Sequence, residues 1–130
     1  PAARACYRRC AMPAPPVLLD SITQVRAEHA GRVVVTGSHG GASVAPYALA
    51  VRSTLYVFND AGIGKEEAGV AALALLDAQG QAAVAVAHTS ARIGEAQDAL
   101  AGGIVSRVNR AAAALGVRAG EPLSVALARL

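Results

Sequence analysis

The sequence predicts an α/β domain: a small three-layer sandwich on a mostly parallel sheet of three to four strands, in a Rossmann-like βαβαβα order. Three observations predict it. Apolar runs recur at Val33-Val34-Val35, at Thr54-Leu55-Tyr56-Val57-Phe58 and from Ala82 to Ala87. Each run breaks into a polar, glycine-containing turn, at Thr36 to Gly41, Asn59 to Lys65 and His88 to Glu95. Each turn then opens a helix-compatible, alanine-rich segment. Strands apolar on both faces and joined by helices are expected to be parallel, because each crossover covers a face. Right-handed crossovers then gather the three turns at one carboxyl edge, where open α/β sheets bind ligands.

The chain has 130 residues, enough for one core and not for two. With 54% hydrophobic and only 16% charged residues, it is not a disordered chain. Residues 1–16 carry Pro1, Pro13, Pro15, Pro16 and a group of arginines, and read as an Arg/Pro-rich extension before a single domain at 17–130.

Within that domain, 17 to 19 is a candidate fourth strand. Ser21 and Gln24 have capping-box spacing for a helix over about 21 to 30, with Gly31 as its C-cap. The first full strand follows at about 32 to 36. Ser43 and Pro46 suit the start of a helix over about 43 to 51. The strand at 54 to 58 leads through its turn into a long helix from about Lys65 or Glu66 to Gly80, whose early glutamates suit the helix dipole. A strand at 82 to 87 is followed by a helix at 95 to 101. After Gly102-Gly103 a second helical pattern runs from 104 to 115, and Pro122 opens a last short helix. So narrow a sheet leaves edges and apolar helices that need cover, which predicts a homo-oligomer or a partner subunit.

Formal charge is +3, and four of the twelve basic residues are Arg4, Arg8, Arg9 and Arg26. The remainder is nearly balanced, without the basic stripe of a nucleic-acid surface. Aromatics are Phe58 and three tyrosines, too few for a stacking platform. Cys6 and Cys10 alone complete neither a zinc site nor an iron–sulfur cluster. No run of 18 apolar residues exists to span a membrane, and no secretory stretch is evident, so a cytoplasmic protein is expected.

The turns concentrate Ser38, His39, Asn59, Asp60, Lys65, His88, Thr89, Ser90, Arg92 and Glu95 at strand ends. His39 and His88 are the candidate acid/base groups, since imidazole titrates near neutral pH. Asp60 is the candidate residue to orient one of them, or else an Asx-turn residue. Ser38, Gly40, Gly41, Asn59, Gly62, Gly64, Lys65, Ser90 and Arg92 are the candidate ligand-binding residues. Glycines there admit a ligand close to the backbone, and Lys65 and Arg92 supply positive charge. His29, at a helix end, is read as structural.

Gly37-Ser38-His39-Gly40 looks like the phosphate-loop segment of universal stress proteins; the resemblance covers those residues only, and nothing further is carried over from it. Gly62-Ile63-Gly64-Lys65-Glu66 is not a Walker A loop, because Glu66 stands where Ser or Thr should bind magnesium. Ser38 lacks the G-x-S-x-G elbow of a hydrolase. His39, Asp60, His88 and Glu95 are legitimate metal ligands, but no helical ligand spacing backs a metal, and neither metal nor cofactor is expected. The inventory therefore predicts His-mediated acid/base chemistry, isomerase- or lyase-like, on a small anionic metabolite bearing a carboxylate or phosphate. The alternative is a non-catalytic ligand-binding or regulatory subunit of a larger complex.

Overall fold

The structure, a computed structural model, describes residues 14–130. The cysteine pair, Arg4, Arg8 and Arg9 lie outside them. Five strands form one sheet in the order β1 (Val17–Leu19), β2 (Val33–His39), β3 (Leu55–Asn59), β4 (Ala83–Val86) and β5 (Val105–Val108). The first four are parallel and β5 is antiparallel to β4. The sheet is thus mostly parallel, as its apolar strands require, but wider than the three to four strands expected. Helices are α1 (Ala45–Ala50), α2 (Ala71–Asp77), α3 (Ala96–Gly102), α4 (Arg110–Ala114) and α5 (Leu123–Ala128).

Strand order follows chain order, so successive right-handed crossovers must all lie on the same face. They do: Ile22, Val44, Ala48, Leu73 and Leu76, from the three connections, pack on Val34, Tyr56 and Phe58. The opposite face is left for the carboxyl-terminal part of the chain. Ala96, Ala99, Ala112, Leu123 and Ala126 cover Val35, Val57, Val84 and Val86 there. Helices therefore flank both faces. The strand order, however, never reverses as it does in a doubly wound sheet. No helix among the described residues is long and apolar enough to cross a membrane.

Three expected helices form differently. Over 21 to 30 the chain makes two 3-10 turns, Ile22–Gln24 and Ala27–His29, with Val25 and Arg26 extended between them. The capping box of Ser21 and Gln24 is present, but β-branched Ile22, Thr23 and Val25 weaken helix propagation. The helix expected from Lys65 begins instead as a 3-10 segment, Lys65–Val70, with Glu66 and Glu67 in left-handed conformation. The amide of Gly69 is held by the Ile63 carbonyl and that of Ala72 by Gly40, so regular α2 starts only at Ala71.

The helix expected over 104 to 115 is replaced by β5 and α4. α3 has seven residues, a rise of ~10 Å, and Ala87 donates to the Ile104 carbonyl just beyond it. The chain therefore re-enters the sheet at the edge where β4 leaves it, and must run back antiparallel.

Candidate functional site

The carboxyl ends of β2, β3 and β4 meet at one rim. His39 pairs in register with Asn59, and Asn59 with Val86, two residues before His88. His39 and His88 thus belong to the same edge, two strand spacings or roughly 10 Å apart at the backbone. The β3 loop lies between them: a side chain at Gly62 would meet the His88 ring, and one at Gly41 would meet both the His39 ring and the Ala68 carbonyl.

Asp60 is buried, at 3% exposure, immediately after β3. Its Oδ1 accepts from the Gly62 amide at 2.8 Å and from the His88 amide at 2.9 Å. The His88 imidazole Nδ1 lies 3.4 Å from the same oxygen, while the His88 side chain is 55% exposed. Oδ2 accepts from the Ser106 hydroxyl at 2.7 Å. Burial alone would raise the pKa of Asp60. The Ser106 hydroxyl, the two amides and the adjacent imidazole together outweigh it and hold the carboxyl below its ordinary value. Asp60 closes an Asx turn through the Gly62 amide, and the same oxygen faces the His88 ring. An ionised carboxylate only accepts, so this contact at 3.4 Å favours the ring tautomer with its proton on Nδ1.

His39 has the opposite arrangement. Its Nδ1 accepts from the Gly41 amide at 2.9 Å, so the neutral ring carries its proton on Nε2 and presents a donor. The amide of Gly40 goes to the Asn59 carbonyl and the Ser38 hydroxyl accepts from Ile22, so these turn groups are engaged internally. Asn59 is buried and braces the rim: Nδ2 donates to Ala91 and Oδ1 accepts from Ala61. Ser90 bonds the Ala87 carbonyl and the Ile104 amide. Lys65 and Arg92 are exposed at the rim, and neither side chain forms an ion pair among the described residues.

Backbone strain is concentrated in the β3 loop. Ala61, Ile63, Glu66 and Glu67 all have positive φ, between 52° and 66°, alongside Gly62 and Gly64. Each such non-glycine residue stores about 1–3 kcal/mol, and β-branched Ile63 is the most unusual of them. Gly37 allows the β4 loop to close on β2, because its Cα faces the Gly94-Glu95 backbone and the Gly94 amide bonds its carbonyl at 2.6 Å. The same closure lets Asp20 cap α3 through the Ala96 amide at 3.0 Å.

Ser106 and Asp20 were not among the expected site residues. Ser106 was hidden because its segment reads as a helix, and Asp20 because its partner is 76 residues away. His39, Asp60, His88 and Glu95 form no metal-holding group of three among the described residues. A cavity of about 490 Å³ lies at the other end of the sheet beside Pro15, Arg32, Val33 and Leu127. No protein-family model, curated protein or solved structure matches this chain.

Proposed function

We propose that the carboxyl rim is a general acid/base site for a small anionic metabolite, with chemistry of the isomerase or lyase kind. His88 is the base, through Nε2, and Asp60 fixes its ring and stabilises the imidazolium that forms. His39 offers its Nε2 proton from the far side of the β3 loop, and Lys65 and Arg92 receive the carboxylate or phosphate. The observation that carries this reading is the buried Asp60 carboxylate set against a half-exposed imidazole at the strand ends. An aspartate holding one tautomer of a histidine at a strand end is how a base is prepared before substrate arrives.

The test is a thermal-shift screen of carboxylate and phosphate metabolites, followed by turnover assays on the ligands found. A ligand at a hundred times its dissociation constant adds about 2.7 kcal/mol. His88→Gln should then lower turnover by about 10²- to 10⁴-fold with binding largely kept. Full turnover in that variant, or an empty screen, overturns the reading.

A second reading, a ligand-binding or regulatory subunit, is favoured by one observation. Tyr47 on α1 and Leu75 on α2 leave 45% and 47% of their surface exposed on helices of one layer, as a face covered by a second chain would. It predicts loss of affinity in His88→Gln with no turnover to lose, and a mass in light scattering above that of the single chain.

A further inference from the structure

We propose that Ser106 is a positioning residue for His88, acting through Asp60: its hydroxyl locks the carboxylate in the one rotation that presents Oδ1 to the imidazole. The proposal rests on the reading of His88 as the acid/base group and goes beyond it to a residue on a different strand.

The β4–β5 ladder supplies the first argument. Ala85 pairs with Arg107 and Val86 with Val105, so Ser106 is the extra residue of a bulge. In an unbroken ladder the side chain at 106 would alternate to the face opposite that of Arg107, against the apolar layer that Val105 joins. The bulge re-aims it, and its hydroxyl reaches a carboxylate 46 positions earlier in the chain at 2.7 Å. A competing acceptor, the Ala85 carbonyl, lies farther away at 3.3 Å. The single hydroxyl proton therefore goes to the nearer, charged oxygen.

The second argument is the distribution of partners on Asp60. Oδ1 has the two loop amides and faces the imidazole; Oδ2 has Ser106. Without the hydroxyl, a buried carboxylate oxygen would lose its donor. The group would then gain by turning to share the amides between both oxygens, which takes Oδ1 away from the ring.

The test reads the tautomer of His88 by ¹⁵N NMR of histidine-labelled full chain, above the pH at which the ring titrates. Free imidazole favours the proton on Nε2; a ring held by Asp60 carries it on Nδ1. The wild-type protein should show the Nδ1–H pattern, Ser106→Ala should move it toward the free-imidazole pattern, and Ser106→Thr should restore it. Should Ser106→Ala not fold, Ser106→Cys, similar in size but a poor donor, takes its place, with the amide spectrum as the check on folding. An unchanged His88 pattern in a folded Ser106→Ala or Ser106→Cys protein overturns this inference and leaves the acid/base reading standing. A wild-type protein with the proton on Nε2 overturns both.

Discussion

Asp60 holds His88 twice through a single oxygen: Oδ1 takes the His88 backbone amide at 2.9 Å and faces its Nδ1 at 3.4 Å. The carboxylate thereby ties the β3 loop to the end of β4 as well as facing the ring, so acid should loosen the fold and the site together. Its folded pKa lies below the ordinary 3.8, so the unfolded chain takes up its proton first as pH falls. The stabilisation is complete above that ordinary value and is lost as pH drops through the lower, folded one. Asp60→Asn should cost about 1.5–3 kcal/mol at neutral pH. In urea melts the gap to wild type should narrow below about pH 4. Parallel curves over the whole range would contradict the assignment.

The opposite sign holds for Tyr56. It is fully buried on β3, its ring 5.9 Å from that of Phe58, and its hydroxyl donates to the Val51 carbonyl at 2.6 Å. Burial pushes the phenol up to about 12 from 10.0. Its stabilisation is therefore full below pH 10 and lost as pH climbs toward 12, a matter of a few kcal/mol at most, on the order of 1 kcal/mol per pKa unit. Tyr56→Phe should be about 1 kcal/mol less stable at pH 7 and should lose that alkaline slope, as denaturant melts at pH 9 to 12 would read.

The parallel β-strands and their common rim were legible because they follow from local signals, apolar runs ended by glycine turns. What was not legible depended on distant partners. Nothing near Asn109 in sequence tells that it meets Leu73 and Gln81, so the segment around it kept its helical look. The aspartate–histidine contact was foreseeable as one of two readings of Asp60, whereas the direction of His39 was not. A turn histidine whose Nδ1 takes the amide two residues on is set by local geometry that residue types alone do not specify.

Strain in the β3 loop makes a prediction that runs against the usual effect of glycine. Glu66 is exposed with φ of 56°, and the ion pair to Arg107 is made by its neighbour Glu67. Glu66→Gly should therefore relieve a left-handed penalty without removing an ion pair, raising stability by about 1 kcal/mol. The midpoint of a urea melt should rise with an unchanged slope. A fall would mean that the extra freedom of glycine in the unfolded chain outweighs the strain.

Asn109 ends β5 and starts α4, and every polar atom of its buried side chain is engaged. Oδ1 accepts from Ala83 at 3.1 Å and from Ala112 at 2.9 Å, the second bond being the helix cap. Nδ2 donates to the carbonyls of Leu73 at 3.1 Å and Gln81 at 2.9 Å. One side chain thus joins α2, the start of β4 and α4. Asn109→Ala strips these partners at once, leaving buried backbone groups unpaired, and should destabilise by about 3–5 kcal/mol. Asn109→Asp separates the two halves of the arrangement, because a carboxylate keeps both acceptor bonds and loses both donor bonds. It also sets a buried charge against two carbonyl oxygens, so it should fare no better than alanine at pH 7 and should recover as pH falls toward the carboxylate range. An Asp variant as stable as wild type at pH 7 would show that the cap alone fixes this corner, and that the ties to Leu73 and Gln81 contribute little.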